Sequence, residues 1–514
     1  MSAPREIELK LEAEGADIAA LASHPLLQAG EAGSSEMLTS TYYDTAARDL
    51  QKNGLSLRVR AQGEQRIQTV KAATVSAGLF DRPEWECAID GPTPDLAALA
   101  ETPAAKILGA AKEPDLAALF ATMVERTTRP VAYSASRISA TLDQGRLETK
   151  AGDVPVCELE LELEEGTAAD LFALAQALAE TVPLRLGALS KSARGFALID
   201  GTLRRPSKAG GVVLDEGASA GETFRAIAQA CLRHLRLNED VFLHGRDPEA
   251  LHQIRVALRR LRSAFTLFKP VLTGDATAEH LRTEIKRVTE PFGQARNLDV
   301  FLATTLPAEI ERRPDEAGLN DLRERLTAER ERAYEAVLAI LHSPAWRSLL
   351  LDLVTWIETG PWRGEGAPHE RDMPAKAYAA GVLERARRRI KKRGRRLDTL
   401  DPEARHRVRI EAKKLRYGAE FFASLFAGKK AHKRHKAFVS ALSDLQDHLG
   451  ALNDLATAHE VAASVVTDDA NAATGPAVFA AGFTAAAGEG GTETLLEAAA
   501  EAHGELIDVK PFWR

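Results

Sequence analysis

The stretch that decides the fold of the first half of the chain is Glu6-Ile7-Glu8-Leu9-Lys10-Leu11-Glu12. Successive side chains of a β-strand point to opposite faces, so the charged residues share one face and the apolar residues share the other. Helical spacing appears near residues 95–108 and 167–181. The alternation recurs between turn signals in six further runs, at residues 38–44, 55–61, 66–72, 84–89, 136–143 and 156–163. The pattern predicts an α+β fold dominated by an antiparallel sheet.

The polar faces of these strands carry charges of both signs. Arg58 and Arg60 alternate on one strand, whereas Glu158, Glu160 and Glu162 alternate on another. Rows of like charge repel, so they are tolerable where ions of opposite charge lie among them. If the polar faces converge inside a barrel, helices must cover the outer faces, and the interior can hold divalent cations and phosphate oxygens. The alternative is a half-solvated sheet without a site, and alternation by itself does not separate the two.

The order of these motifs over residues 2–200 resembles the CYTH family, the triphosphate tunnel metalloenzymes. This resemblance implies an eight-stranded antiparallel tunnel that binds a triphosphate together with two divalent cations, Mg²⁺ or Mn²⁺. It rests on Glu6-x-Glu8-x-Lys10, Tyr43-Asp44-Thr45, Leu57-Arg58-Val-Arg60, Val70-Lys71, Arg82-Pro83-Glu84, Glu125-Arg126-Thr127, Leu142-Asp143, Glu158-x-Glu160-x-Glu162 and Ser190-Lys191-x-x-Arg194-Gly195.

The resemblance also implies roles for individual residues. The implied metal ligands are Glu6, Glu8, Glu84, Asp143, Glu158 and Glu160. The implied phosphate-binding catalytic residues are Lys10, Arg58, Arg60, Lys71, Arg126 and Lys191. Second choices on the same faces are Glu86, Arg137, Glu162 and Arg194. Hydrolysis of a terminal phosphoryl group in such a site needs charge neutralisation and an in-line water more than a protein nucleophile.

Charge is distributed unevenly along the 514-residue chain. The net charge is −7, yet residues 1–200 carry 19 Lys and Arg against 30 Asp and Glu, and the remainder carries 48 against 44. The basic residues of the second part indicate a polyanionic partner. Three widely spaced cysteines indicate neither a disulfide framework nor a thiolate zinc site. The charged N-terminus lacks a secretory-signal pattern and no apolar stretch is long enough to span a bilayer, so we expect a cytoplasmic protein.

The second part of the chain is predicted to be helical and internally duplicated. Gly-rich residues 201–217 predict a linker between a first domain at 1–200 and a helical domain at 218–514. The motif at 252–262 is repeated at 406–416, and the motif at 293–299 is repeated at 450–454, with offsets of 154 and 157 residues. Helices are predicted at 222–237, 248–268, 277–292, 319–341, 375–396, 402–425 and 436–462, and a helix without chemistry is predicted within 465–504.

Each copy of the first repeated motif places basic side chains on one helical face. The candidates are His252, Arg255, Arg259 and Arg262 in the first copy and His406, Arg409, Lys413 and Arg416 in the second. A single charge run, such as 385–396, is most often a solvated face, but repetition at matching positions favours a binding face. The motifs resemble the CHAD family, which implies paired helical bundles and binding of inorganic polyphosphate. Nucleic acid is the less suitable partner, because almost no aromatic residues lie among the basic stretches to stack on bases.

Glu249 and Glu403 stand three residues before the two histidines, a spacing at which the pair could share a metal. The preceding Asp-Pro fits a helix N-cap more simply.

The whole chain is predicted to be a metal-dependent inorganic triphosphatase whose helical domain binds polyphosphate, in the cytoplasm and in association with polyphosphate granules. Two alternatives stay open: another tunnel chemistry, adenylate cyclase or thiamine triphosphatase, and a noncatalytic polyphosphate-binding scaffold.

Overall fold

The computed structural model describes residues 5–28, 33–109, 115–364, 366–467, 480–482 and 492–514. The chain forms two compact units, the first from residues 1–205 with 343–360 and the second from residues 206–342 with 361–514. Residues 343–360 therefore pack within the first unit, although they lie inside the predicted helical domain in sequence.

Eight antiparallel strands of the first unit close into a barrel. They are β1 Arg5–Glu12, β2 Ser34–Thr45, β3 Leu55–Gln62, β4 Gln65–Ala72, β5 Leu79–Ile89, β6 Leu116–Tyr133, β7 Ser136–Thr149 and β8 Gly152–Glu165. The order around the sheet is β5-β4-β3-β2-β6-β7-β8-β1, and pairing of β1 with β5 closes the ring. A two-residue strand, β9 at Arg185–Leu186, pairs with the end of β1. The predicted eight-stranded antiparallel barrel is confirmed.

The barrel has a polar interior because its apolar residues face outward under helices. Leu9 and Leu11 of β1 and Leu159 and Leu161 of β8 are at most 1% exposed, and a helix packs against β1, β6, β7 and β8 on their outer side. This covering helix is α5, Ala168–Ala179, whose range matches the predicted helix at 167–181. The other helices around the barrel are α1 Gly15–Ala22, α2 Pro25–Gln28, α3 Asp49–Lys52, α4 Pro103–Leu108 and α6 Lys191–Ile199.

Two local predictions for the first unit were wrong. The 18-residue strand β6 was not predicted, although it pairs with both β2 and β7. The helix predicted at 95–108 is helical only over α4. Pro103 fits the first helical turn, and Thr102 before it is extended, so the helix cannot continue upstream. Asp95 is instead held in a turn, where its N–H donates to Gln68 Oε1 at 2.8 Å.

The second unit is helical, as predicted. Its helices are α7 Ala220–Gly245, α8 Pro248–Leu267, α9 Ala276–Val288, α10 Glu290–Val300, α11 Leu306–Arg312, α12 Ala317–His342, α14 Ala375–Arg393, α15 Pro402–Phe421, α16 Lys429–Thr467 and α17 Thr492–Asp508. A further helix, α13 at Pro344–Thr359, belongs to the first unit and was not predicted. Within the predicted linker, Ser207 is hydrogen-bonded to Asn238 of α7. Part of the final predicted segment, residues 468–479 and 483–491, lies outside the described residues.

The duplicated motifs occupy equivalent helices. Helix α8 carries the first copy and α15 the second, and the two helices contact each other. Asp247 and Asp401 cap their N-termini by accepting from backbone N–H groups, with a proline in the first turn of each. The predicted N-caps are thus confirmed. Among the described residues no single helix is long and apolar enough to cross a membrane; only Ala317–His342 and Pro344–Arg363 taken together, with a 55° bend between them, reach that length and composition.

Candidate functional site

The barrel encloses a cavity of about 160 Å³ whose walls are almost entirely charged or hydroxylated. It is lined by Glu6, Glu8, Lys10, Tyr42, Ser56, Arg58, Arg60, Thr69, Lys71, Arg82, Glu84, Glu86, Arg126, Thr141, Glu160, Glu162, Ser190, Lys191 and Ser192. Of the residues predicted for this site, all but Asp143 and Glu158 line the cavity, and those two are fully buried beside it.

The carboxylates and the arginines are unevenly distributed around the barrel. Carboxylates come from the adjacent strands β8, β1 and β5, whereas the arginines at 58, 60 and 126 come from β3 and β6. In the ring order, β3 lies four strands from β8, and β6 lies four strands from β5. A wall rich in carboxylates, which also carries Lys10 and Arg82, therefore faces the arginines of β3 and β6 across the cavity. We call these the acidic wall and the basic wall; together they offer oxygen ligands for metal ions and guanidinium groups for phosphate.

A buried ion network lies beneath the acidic wall. Lys10 Nζ is 2.5 Å from Glu158 Oε2 and 2.8 Å from Glu160 Oε1. Lys191 Nζ lies 2.7 Å from a carboxylate oxygen of each of three residues, Asp143, Glu158 and Glu160. Burial favours the neutral form of Glu158, but the charges of Lys10 and Lys191 outweigh it and lower its pKa to about 2. These carboxylates are therefore ionised and balanced by the lysines.

Arg126 completes this network. It donates to both carboxylate oxygens of Asp143, at 2.7 and 2.6 Å, and to Glu160 Oε2 at 3.0 Å. Oxygen atoms of Asp143, Glu158 and Glu160 lie within 4.8 Å of one another, so this acidic cluster is close enough to hold a metal ion. All three residues already accept from cationic side chains, but Asp143 and Glu158 are fully buried beside the cavity whereas Glu160 lines it, which favours a charge-balancing role for Asp143 and Glu158. Their assignment as metal ligands stays a prediction.

Lys191 reaches the network because α6 packs tightly against the barrel. Lys191 is the first residue of α6 after Ser190, whose side chain caps the helix by accepting from Ala193 N–H at 3.2 Å. A Cβ atom at Gly195 would lie 2.3 Å from the ring of Phe120, so only glycine allows this approach. An ammonium group has three N–H donors, and Asp143, Glu158 and Glu160 together can accept all three from Lys191.

A second ion network lies where β1, β4 and β5 meet. Lys71 Nζ is 2.9 Å from Glu6 Oε2 and 2.8 Å from Glu84 Oε2. Burial opposes ionisation of Glu6, but Lys71 outweighs it and lowers its pKa to about 2. Burial and a hydrogen bond to Glu6 raise the pKa of Glu84 to about 8. Arg82 lies 3.6 Å from both Glu6 and Glu8, and sequence reasoning missed it as a site residue.

One buried charge on each wall lacks a full counter-charge. Glu8 is 4% exposed, its Oε1 has no hydrogen-bond partner in the described part of the chain, and burial together with the charge of Glu160 raises its pKa to about 7. On the opposite wall, Arg60 forms no salt bridge with any described residue. The charge of Arg58, and then burial, lowers the pKa of Arg60 to about 10. A divalent cation beside Glu8 would balance its negative charge, and an anion beside Arg60 would balance its positive charge.

The second-choice residues divide into two groups. Glu86 and Glu162 line the cavity, and Arg194 lies against the buried network, 3.3 Å from Glu158 Oε1. Arg137 is 58% exposed and pairs with Glu164 and Glu165, outside the cavity. Its orientation differs because a register shift between β7 and β8 occurs at Arg137.

In the helical unit the two repeated motifs come together on one face. The positive charge of Arg259 on α8 acts on both Arg409 and Lys413 of α15. Burial, followed by the charges of Arg409 and Arg259, lowers the pKa of Lys413 to about 7. We define the paired basic face as Arg255, Arg259, Arg296, Arg409, Lys413 and Arg416. Arg296 of α10 was missed, although it lies within the second repeated motif.

The remaining candidates of the helical unit have local partners. His406 Nδ1 is 3.2 Å from Asn453 Oδ1, and burial and Arg296 lower the pKa of His252 to about 4. Arg262 is half-buried, and burial and then the charge of Arg282 lower its pKa. Both motif carboxylates are hydrogen-bonded within their own helices: Glu249 accepts from Gln253 at 2.7 Å and Glu403 accepts from Arg407 at 2.5 Å. The charge of Glu249 also acts on His252, where it partly offsets the lowering of the pKa.

The basic run at 385–396 is largely tied to the fold. Arg387 donates to the backbone carbonyl of Ile507, and Arg389 and Arg393 both pair with Glu411. Arg388 is 74% exposed and, among the described residues, pairs with Glu384 one turn earlier in the same helix. This run therefore has structural partners. The paired basic face has some as well, since Arg255 donates to Phe292 O and Arg416 lies 3.6 Å from Glu420. Its cations nevertheless lie close enough to lower the pKa of Arg255 and Lys413.

Two family models match the chain. The CYTH domain model matches residues 4–196 and the CHAD domain model matches residues 226–463. The chain joins a CYTH domain to a CHAD domain.

The chain is similar to several known proteins. An inorganic triphosphatase of Haemophilus influenzae is 30% identical over 164 residues, which are 31% of this chain and 46% of that protein. The chain thus spans about half the length of this curated relative. The CHAD domain of the plant Ricinus communis is 31% identical, with a TM-score of 0.50 over 58% of this chain and 96% of the plant domain. A putative adenylyl cyclase of Hippeastrum, described as having a dominant triphosphatase activity, is 18% identical over 38% of this chain and 97% of its own, with a TM-score of 0.31.

Proposed function

We propose that the CYTH domain hydrolyses inorganic triphosphate to pyrophosphate and phosphate with a divalent cation, Mg²⁺ or Mn²⁺, and that the CHAD domain binds inorganic polyphosphate. The observation that carries the first part is the pair of uncompensated charges on opposite walls, Glu8 and Arg60. A triphosphate with bound cations supplies the missing charge to each wall. The likeness to an inorganic triphosphatase supports this substrate over a nucleotide.

The residues present fit divalent cations on the acidic wall. Glu6, Glu8 and Glu160 would hold them, because carboxylate oxygens are the preferred ligands of hard cations and Glu8 Oε1 has no other partner among the described residues. When bound, the cations would neutralise phosphate oxygens and lower the pKa of the attacking water.

The chain's own residues bind and orient the phosphates. Arg58 and Arg60 present guanidinium groups from β3, and planar guanidinium forks match phosphate oxygens. Lys10 has two carboxylate partners and one further N–H donor, so it can reach a phosphate oxygen while it stays anchored to Glu158. Lys191 is engaged by three carboxylates and would mainly hold the acidic wall in place. Such fixed charges stabilise the developing charge of the leaving pyrophosphate.

The paired basic face supports the second part of the proposal. Its cations come from both repeats and depress one another's pKa, as at Arg255, where burial and Arg259 lower the pKa to about 10. A linear polyanion that crosses α8 and α15 would relieve this repulsion along its whole length. We place the protein in the cytoplasm with its polyphosphate ligand, at polyphosphate granules.

A panel of substrates tests the proposal. The whole chain is assayed for phosphate release from inorganic triphosphate, ATP, thiamine triphosphate and long-chain polyphosphate, with Mg²⁺, with Mn²⁺ and with chelator. We expect metal-dependent release of one phosphate from inorganic triphosphate and much slower reaction of the others. Formation of cyclic AMP from ATP would favour a cyclase, and absence of turnover with intact polyphosphate binding would favour the noncatalytic scaffold. Binding of duplex DNA as tightly as polyphosphate at physiological salt would contradict the proposal that polyphosphate is the ligand of the CHAD domain.

A further inference from the structure

Helix α13 lies in an unexpected place for its position in the sequence. It follows α12 and precedes α14, two helices of the second unit, yet residues 343–360 pack within the first unit. There α13 contacts α5 and β9. We propose that α13 is a positioning element of the barrel site, so that the hydrolytic unit of this chain is discontinuous in sequence. The part of this proposal that concerns catalysis rests on the proposed triphosphatase function.

The packing of α13 is that of a core element. Ser343 caps its N-terminus by accepting from Trp346 N–H at 3.1 Å, and Pro344 occupies the first turn. Leu353, Val354 and Ile357 are fully buried. The side of α13 that faces α5 is marked by Asp352, whose Oδ1 accepts from Gln176 Nε2 at 2.8 Å.

From α13 the contacts lead to the acidic wall in two steps. Helix α5 covers the outer side of β1 and β8, where Leu159 and Leu161 are fully buried. On these strands the outward leucines alternate with the inward glutamates 158 and 160, so a shift of the leucines moves the carboxylates. Support of α5 by α13 therefore fixes the face of β8 that carries the buried ion network.

The second route passes through β9 and ends at Lys10. Residue pairs Leu11–Leu186 and Glu12–Arg185 join β9 to β1, and the next residue, Gly187, donates its N–H to Lys10 O at 2.9 Å. A Cβ atom at Gly187 would lie 2.5 Å from Lys10 Cγ. The backbone at Gly187 therefore lies directly against the Lys10 side chain, which is held 2.5 Å from Glu158. Contact of α13 with β9 supports this position from outside.

The test uses the whole chain with one side chain shortened to alanine on the face of α13 that contacts α5. Leu349 lies three residues before Asp352, on the same helical face, and is 8% exposed. Leu338 of α12 has the same exposure and lies in the second unit, so Leu338→Ala is a matched control for the loss of buried volume. We expect Leu349→Ala to lower kcat for triphosphate at least fivefold and Leu349→Met to restore it, with polyphosphate binding unchanged.

Hydrogen exchange supplies a readout that does not depend on activity. Leu349→Ala should speed exchange of the Gly187 amide at least tenfold, because that N–H is protected by its bond to Lys10 O, whereas Leu338→Ala should leave it within twofold. Unchanged exchange and kcat in Leu349→Ala, or equal losses in both variants, would overturn the positioning role. If the unmodified chain does not hydrolyse triphosphate, the proposed function fails by itself. The exchange result then still decides whether α13 supports β9.

Discussion

Replacement of Glu8 should separate the stability of the barrel from its activity. Glu8 is buried, its Oε1 has no partner among the described residues, and burial together with Glu160 raises its pKa from 4.5 to about 7. When the pKa of an acid is higher in the folded protein than in the unfolded chain, the free energy of unfolding falls as pH rises from the unfolded-state pKa to the folded-state pKa. The penalty is absent below about pH 4.5 and is complete above about pH 7, where it amounts to about 3 kcal/mol. Glu8→Gln removes the charge and keeps the shape.

We therefore expect Glu8→Gln to stabilise the metal-free barrel at pH 8 by up to about 3 kcal/mol and to change it little near pH 4.5. The same variant should lose triphosphatase activity by orders of magnitude, because it loses a metal-ligand charge. Two units can unfold separately, so the measurement is the opening free energy of β1 amides by hydrogen exchange without metal. A less stable barrel at pH 8, or activity within twofold of the unmodified protein, would refute the reasoning.

Glu160→Gln is the matched control with the opposite sign. Glu160 accepts from Lys10, Lys191 and Arg126, and these charges lower its pKa well below the usual range despite burial. Its neutralisation leaves buried cations short of a counter-charge, a change that costs about 3–5 kcal/mol in buried ion pairs. Both variants should lose activity, but only Glu160→Gln should destabilise the metal-free barrel at pH 8.

Three further predictions concern the cations of the two domains. Arg60→Met should lower kcat/KM for triphosphate by about 10²-fold in initial-rate assays, because it removes a fixed charge that a phosphate would neutralise. Polyphosphate binding, measured by fluorescence anisotropy, should tighten as pH falls from 8 to 6, because Lys413, with its pKa of about 7, becomes protonated over this range. Lys413→Arg should flatten this pH dependence. Arg259→Glu should weaken polyphosphate binding at least tenfold and reduce its salt dependence, whereas Arg388→Glu should change the affinity less than twofold. Equal losses in the two variants would mean that the overall positive charge of the domain, and not the paired basic face, binds polyphosphate.

Much of the barrel could be predicted because its alternation is regular. Each of the seven predicted strands lies within an observed strand, and the resemblance supplied the closed ring that alternation alone left open. Strand β6 was missed because its first half, from Leu116 to Val124, is almost continuously apolar and lacks the alternation of the other strands; Pro130, near its end, is paired with Ser139 of β7. Helix α13 was missed although its sequence carries helical spacing, with polar residues at Ser348, Asp352, Thr355 and Thr359 on one side and buried apolar residues on the others.

Which residues form the site was more predictable than which of them pair with one another. Strand periodicity could also have found Arg82, which shares a face with Glu84 and Glu86, but the predicted strand began after Pro83. Which carboxylate balances which cation depends on register: Arg126 lies opposite Asp143, and Asp143 lies opposite Glu158, across the three consecutive strands β6, β7 and β8. The row could not be predicted because β6 was missed, and with it the register that joins Arg126 to Asp143. Arg296, which reaches the paired basic face from α10, was also missed.

The two domains solve opposite electrostatic problems, and divalent cations should therefore affect them in opposite directions. The barrel balances nearly all its buried charges internally and leaves Glu8 and Arg60 for a ligand that carries both signs, so triphosphate binding there should require metal. The paired basic face keeps an excess of positive charge although Asp454 acts on Arg409 and Lys413, as the depressed pKa of Lys413 shows, and it gains most from an anion that carries no cations. Raising Mg²⁺ at constant ionic strength should activate hydrolysis and weaken polyphosphate binding by competing for its phosphates. Tighter polyphosphate binding with Mg²⁺ would show that the helical face, too, binds a metal–phosphate complex.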